Sequence, residues 1–390
     1  MSNDFDRIIS RAGTHSFKYD ARKELFGRED ILPLWVADMD FAVPEGVQRA
    51  LTERAVHPVY GYTSYPESLY DSLIQWLATR HNWVVARESI ILCPGVVPSL
   101  HAAIFAFSRP GDQVIVQPPV YAPFLAAPGI TVRELALNPL KLEQGRYVFD
   151  LDHFERCAAE GARLLLLCSP HNPAGRVWQE QELRALLEIC RRHGVTVVSD
   201  EIHADLIYPG KKHIPLATLA QDKVNVITAV APSKTFNIPG LGLSALIVPD
   251  KTDRAALTHA FDLLHVSATN PFSIAAFEAA YRTGSSWLDE LMVYLAGTRD
   301  FAREFLQQHV PQIRMIEPEG TYLLWLDCRA MQLDNAQLRH FFAQDAGVGL
   351  SPGTLFGAEG SGFMRMNIGA PRTVIAEALE SIARAETARK

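Results

Sequence analysis

Four short segments carry residue types suited to chemistry, and each stands directly after an apolar run. Ser169-Pro-His-Asn-Pro-Ala-Gly175 follows Leu164–Cys168. Its Asn172 offers a donor and an acceptor in a turn stiffened by two prolines. Ser199-Asp-Glu-Ile-His203 ends the run Val195–Ser199, where two acids are costly unless a cation meets them; Asp200 also suits a helix cap. Lys234 lies in Ala231-Pro-Ser-Lys-Thr-Phe-Asn-Ile-Pro-Gly-Leu-Gly242, after Val224–Ala229. Such an amine is either solvated or, inside a polar pocket, deprotonated and able to form a Schiff base. Gly95-Val-Val-Pro-Ser99 follows Ser89–Cys93 and opens a helix, whose first N–H groups can hold an anion; a glycine there also serves as a plain turn. No G-x-G-x-x-G spacing or Walker A sequence is present, so a nucleotide-binding reading has little support.

Together the four segments meet the needs of one cofactor. Pyridoxal 5'-phosphate (PLP) requires a lysine for its aldehyde and a carboxylate to keep its ring nitrogen protonated. It also requires a polar group at its phenolate oxygen and backbone donors for its phosphate. Any one segment alone is an ordinary turn, cap or surface lysine; all four in this order are much harder to obtain by chance.

The elements that must position these residues alternate. Strand candidates are Ser89–Cys93, Gln113–Gln117, Thr131–Leu137, Leu164–Cys168, Val195–Ser199, Val224–Ala229 and Ser244–Val248, several apolar at nearly every residue. Between them lie helical patterns at Ser68–His81, Pro98–Phe107, Asp150–Glu160 and Glu180–His193. This alternation implies an α/β fold with a mostly parallel sheet, in which ligands bind at the carboxyl ends of the strands. After Asn270-Pro271 the pattern changes to a long helical stretch, Phe272 to about Val310, then a strand at Thr321–Asp327, a helix at Asn335–Gln344, a strand at Gly362–Ile368 and a last helix. The expectation is a large domain over residues 46–275 and a smaller, discontinuous α+β domain from 1–45 and 276–390.

Composition bounds the rest. The 390 residues carry 37 Lys+Arg against 44 Asp+Glu, a formal charge of −7, which argues against nucleic acid or an anionic membrane as the main partner. The polar N-terminus and the lack of a long apolar run predict no signal peptide and no membrane span. Cys93, Cys157, Cys168, Cys190 and Cys328 are odd in number and form no C-x-x-C, which fits reduced core thiols in a cytoplasmic protein. No metal site is expected.

Over nearly its whole length the sequence resembles fold-type I PLP enzymes of the aminotransferase class I/II superfamily, and within them the MalY/PatB-type cystathionine β-lyases (C–S lyases). The resemblance rests on Leu34-Trp-Val-Ala-Asp-Met-Asp-Phe41, Gln117-Pro-Pro-Val-Tyr-Ala-Pro-Phe124, Ser169-Pro-His-Asn-Pro-Ala-Gly-Arg-Val-Trp178, Ser199-Asp-Glu-Ile-His-Ala-Asp-Leu206, Pro232-Ser-Lys-Thr-Phe-Asn-Ile238 and Glu319-Gly-Thr-Tyr-Leu-Leu-Trp-Leu-Asp327. It implies that Lys234 carries the cofactor and moves the substrate Cα proton, Asp200 pairs with the ring nitrogen, Asn172 binds the phenolate and Tyr121 stacks on the ring. It also implies that Val96 and Val97, after Gly95, and the Ser233 hydroxyl hold the phosphate, with Tyr62 reaching the phosphate of a neighbouring subunit in a homodimer. Arg365 and Ala37 would bind the amino-acid substrate, Arg365 by clamping its α-carboxylate. His203 falls where many relatives carry a tyrosine near the phenolate. The superfamily's usual phosphate-binding arginine, eight residues after the lysine, is Gly242 here, as in the lyase subfamily, with groups near Ser267–Asn270 of the neighbouring subunit as candidate replacements. The implied reaction is α,β-elimination from cystathionine or a related cysteine S-conjugate to a thiol, pyruvate and ammonia. The alternatives are an aminotransferase and, from another class, a regulator that binds a transcription factor.

Overall fold

The computed structural model describes residues 3–220 and 223–389. The strands of its main sheet are β1 (Ile90–Cys93), β2 (Gln113–Val116), β3 (Glu134–Leu137), β4 (Leu164–Cys168), β5 (Thr196–Asp200), β6 (Val226–Val230) and β7 (Ser244–Ile247). They form one seven-stranded sheet in the order β1-β7-β6-β5-β4-β2-β3, parallel except at β7, which runs antiparallel to both neighbours. Side-chain alternation explains why β4 reads as an unbroken apolar run. Leu164 and Leu166 enter the core on one face, with Val198 and Ile227, whereas Leu165 and Leu167 enter the core on the other, with Val197 and Val226.

The helices of six or more residues are α1 (Glu45–Val56), α2 (Glu67–His81), α3 (Val96–Phe107), α4 (Ala122–Ile130), α5 (Leu151–Ala159), α6 (Glu180–His193), α7 (Lys251–Leu263), α8 (Pro271–Thr283), α9 (Ser285–His309), α10 (Asn335–His340) and α11 (Arg372–Arg389). Their ends follow local chemistry. At α6 Gln179 and Glu182 close a capping box and Gly194 ends the helix at φ +67°; at α8 the Asn270 side chain accepts from the N–H of Phe272 and Ser273. A second, four-stranded antiparallel sheet comprises β8 (Arg314–Ile316), β9 (Leu323–Asp327), β10 (Ser351–Pro352) and β11 (Phe363–Asn367), in the order β8-β9-β11-β10.

Several elements differ from the sequence expectation. The run from Phe272 to Val310 is two helices, because the chain turns at Gly284, where a Cβ would fall 2.2 Å from the Phe236 ring and 2.5 Å from the Ala280 carbonyl. The strand expected from Thr131 begins only at Glu134, since Val132 takes φ +62° in the turn after α4. The helix expected to reach Gln344 stops at His340 and continues as a π turn over Phe341–Asp345. Elements that carried no recognised sequence signal include α1, α4, α7, β8, β10 and a hairpin of Lys141–Glu143 with Arg146–Val148. Among the described residues no helix is long and apolar enough to cross a membrane.

Candidate active site

The carboxyl ends of β4, β5 and β6 deliver Asn172, Asp200 and Lys234 to one cavity of about 450 Å³. Its lining brings together most of the residues that the sequence singled out: Gly95, Val96, Val97, Tyr121, Asn172, Asp200, His203, Ser233, Lys234, Arg365 and Ala37. Tyr62 is the exception: it is fully exposed and is not part of the lining.

Asp200 is buried at the end of β5, with one hydrogen bond to its carboxylate, from the Ile202 N–H at 3.0 Å. Burial drives its pKa up to about 7; adjacent Glu201 pushes the same way, while the Ile202 bond and Lys234 oppose. Desolvation inside the cavity, aided by Arg365, lowers Lys234 to about 8. Lys234 Nζ donates to the Ala37 carbonyl at 2.7 Å, and the Tyr322 hydroxyl donates to the same oxygen at 2.9 Å. His203 is held down to about 3 by burial and by the two nearby cations, and its Nδ1 has no partner among the described residues. It is a neutral imidazole with a nitrogen to spare.

Arg365 projects from β11 and is buried. Its Nη1 donates to Asn172 Oδ1 at 3.1 Å, and its Nη2 to the Trp35 carbonyl at 2.8 Å and Ser351 Oγ at 3.2 Å. Nε is buried without a partner among the described residues, so a donor remains open for an anion. The Asn172 carbonyl in turn accepts from the Tyr121 N–H at 3.1 Å, which fixes Tyr121 beside the ring-sized space.

Gly95 caps α3, whose first N–H groups have no intrahelical acceptor and face the cavity from Val96 and Val97. A Cβ at Gly242 would lie 2.9 Å from the Pro94 carbonyl, so this close approach leaves no room for an arginine side chain. A desolvated amine with its pKa near 8, a buried acid without an ion-pair partner among the described residues, a helix start and a glycine-shaped cradle fit a flat, phosphorylated pyridine aldehyde. Among the described residues no group of three or more His, Cys, Asp or Glu is placed to hold a metal ion.

Residues that sequence reasoning missed hold this geometry. Buried Asp205 accepts from Trp76 Nε1 at 3.0 Å, from Thr235 Oγ1 at 2.9 Å and pairs with His81 Nε2 at 2.7 Å, tying the residue after Lys234 to α2. Asn237, at φ +56°, binds Met39 through both N–H and carbonyl and also reaches the Phe41 carbonyl. Asn367 donates to the carbonyls of Val36 and Asp38, while Arg11 and Lys18 neutralise Asp38 and Asp40. The segment around Ala37 is thereby clamped from three sides. Asp205 and Thr235 lie inside quoted motifs; the signal available was an acid and a hydroxyl one turn from the chemistry.

The chain matches the family model for aminotransferases of class I and II over residues 29–382. It is 44% identical over 380 residues to cystathionine beta-lyase PatB of Bacillus subtilis (strain 168), covering 97% of this chain and 98% of that protein. It is 32% identical over 375 residues to protein MalY of Escherichia coli (strain K12), covering 95% of each. The crystal structure of cystalysin from Treponema denticola, which contains a PLP cofactor, superposes with a TM-score of 0.97 at 34% identity and 100% coverage of both chains.

Proposed function

We infer that this chain, which belongs to the aminotransferase class I and II family, is a PLP-dependent carbon–sulfur β-lyase. It cleaves L-cystathionine or related cysteine S-conjugates, with water, to a thiol, pyruvate and ammonia. The observation that carries the lyase reading over transamination is the 44% identity to a cystathionine beta-lyase across nearly all of both chains. The amino-acid substrate is supported by buried Arg365, whose Nε has no protein partner.

PLP, when bound, supplies an electron sink for the negative charge that develops on the substrate Cα. Lys234 would hold the cofactor and, as a free amine, would take the substrate Cα proton as a general base. A pKa near 8 suits that task near neutral pH. The Ala37 carbonyl, steadied by Tyr322, accepts the Lys234 N–H and so limits where the free amine points. Arg365 holds the α-carboxylate, and the fixed fork orients Cα toward Lys234. Asp200 would keep the cofactor's ring nitrogen protonated, and that cation would in turn relieve the cost of a buried carboxylate. Asn172 and neutral His203 would serve the phenolate oxygen, Tyr121 would cover the ring face, and the Val96 and Val97 amides with Ser233 would hold the phosphate beside Gly95. With Gly242 in the arginine's place, one chain offers the phosphate little positive charge. This supports a homodimer in which the hydroxyl of exposed Tyr62 of one protomer reaches the cofactor phosphate of the other. The division into residues 46–275 and 1–45 with 276–390 belongs to the same reading, supported by the two separate sheets.

Incubating the pure holoprotein with L-cystathionine alone, then with an amino acid and a 2-oxo acid, tests the reaction. Pyruvate and ammonia without the 2-oxo acid are expected. Amino-group exchange alone would make the chain a transaminase, and neither product would favour the regulator. Lys234→Ala should lose both turnover and the visible absorbance of bound PLP.

A further inference from the structure

His171 stands between the end of β4 and Asn172, is 1% exposed, and is not part of the cavity lining. Burial lowers its pKa to about 4, with Arg176 pushing the same way, so the ring is neutral. Its Nε2 lies 2.8 Å from the Pro119 carbonyl, which can only accept, so the proton sits on Nε2 and Nδ1 keeps its lone pair. Nδ1 has no partner among the described residues. A buried polar ring with an unmet acceptor is costly unless its other nitrogen does what an apolar side chain cannot.

What that nitrogen holds is the loop between β2 and α4, at a carbonyl two residues before Tyr121. A second bond runs the opposite way, from the Tyr121 N–H to the Asn172 carbonyl at 3.1 Å. The loop that carries the ring-covering tyrosine is thus fastened to two consecutive residues of the loop that carries Asn172. His171 is a firm anchor: its N–H donates to the Arg176 carbonyl at 2.8 Å, its carbonyl accepts from the Gly175 N–H at 2.8 Å, and the Trp178 ring packs edge-on against it at 5.7 Å. Tyr121 itself is 38% exposed, so its backbone does much to fix where its ring stands.

Resting on the PLP reading above, we propose that His171 is a positioning residue that acts through Tyr121. Its Nε2–H sets the Tyr121 loop in the empty site, so that the face of the cofactor ring is covered without rearrangement on binding. Without that bond the loop takes other positions, and PLP has to order it, which lowers the apparent affinity.

The test titrates PLP into the cofactor-free full chain, records the dichroism of the bound cofactor in its visible band, and follows urea unfolding of the cofactor-free protein. His171→Phe keeps a ring but no donor; a glutamine amide reaches about as far as Nε2, whereas an asparagine amide stops short. His171→Phe and His171→Asn should each weaken PLP binding about tenfold and reduce the dichroism per bound PLP, with His171→Gln within about threefold of wild type. In a Tyr121→Ala background, His171→Phe should change PLP affinity by less than about twofold, because the group it positions is gone. Unfolding stability lowered alike in all three variants, with PLP affinity and dichroism unmoved, would make His171 purely structural and overturn the proposal. So would a full effect on PLP affinity in the Tyr121→Ala background. If His171→Phe does not fold, the asparagine and glutamine variants decide by the same criteria. A wild-type chain that binds no PLP would overturn the cofactor reading as well.

Discussion

Replacing Asp200 with asparagine should stabilise the cofactor-free protein while loosening its hold on PLP. The carboxylate lies 6% exposed with one N–H donor, and burial raises its pKa from 3.8 to about 7. A native state that binds the proton more tightly than the unfolded chain gains from it below about pH 4. It loses that gain as pH rises from about 4 to 7. The shift of 7 − 3.8 = 3.2 units corresponds to about 4 kcal/mol at pH values above 7. An asparagine amide still has to be buried, at roughly 1–3 kcal/mol, so the net gain above pH 7 is about 1–3 kcal/mol. Urea unfolding of both cofactor-free forms at about pH 8 and pH 5 should show the asparagine variant ahead at the higher pH. That lead should shrink by about 2–3 kcal/mol at the lower pH, where the native aspartate is protonated. With PLP added the order should invert, because only the carboxylate offers the ring nitrogen a charge. An asparagine variant less stable than wild type at pH 8, or a difference that ignores pH, would refute the claim that Asp200 is an uncompensated acid in the empty site.

Three further outcomes follow from the same geometry. Lys234, lowered from 10.5 to about 8, is neutral about 300-fold more often near pH 7 than an ordinary lysine. The rate of PLP loading into cofactor-free protein should therefore climb with pH and level off above about 8; a climb continuing toward 10.5 would contradict the desolvated amine. Arg365→Lys keeps the charge but not the fork, and should raise KM for the amino acid by about 10–100-fold with PLP affinity unchanged, as read by steady-state kinetics and cofactor titration. Thr235→Val leaves Asp205 short of one donor and should cost about 1–3 kcal/mol in unfolding experiments, with Thr235→Ser restoring most of it; equal losses in both would point to packing rather than the hydrogen bond.

Strands buried on both faces announce themselves as apolar runs, and the polar residue after each run falls at a strand end. Asn172, Asp200 and Lys234 were therefore legible from one sequence, as was the mostly parallel sheet. Arg365 was not legible from pattern alone. It sits inside an apolar strand and meets Asn172 across 193 residues, a pairing no local period encodes. The Asp205 network escaped for the same reason, since Trp76 and His81 from α2 and Thr235 from the loop after β6 converge on it from separate segments. The close approach that demands glycine at 284 was hidden because the Phe236 ring arrives from elsewhere in the chain.

The clamp around Ala37 also sets an order of events during synthesis. Val36 and Asp38 lie near the start of the chain, and Asn367, which binds their carbonyls, is made 331 residues after Val36. At roughly 5–20 residues per second the early segment waits about 20–65 s on the ribosome for its partner. Arg365, which bonds the Trp35 carbonyl, arrives equally late. Over that interval Trp35 and Phe17 lack their final surroundings, and the Lys234 amine lacks a fixed Ala37 oxygen. A nascent chain released short of residue 367 would carry the lysine, the acid and the helix-start amides, yet have an unfinished pocket. Assembly of a working site is thus deferred to the last moments of translation, and a truncated product is inert by construction.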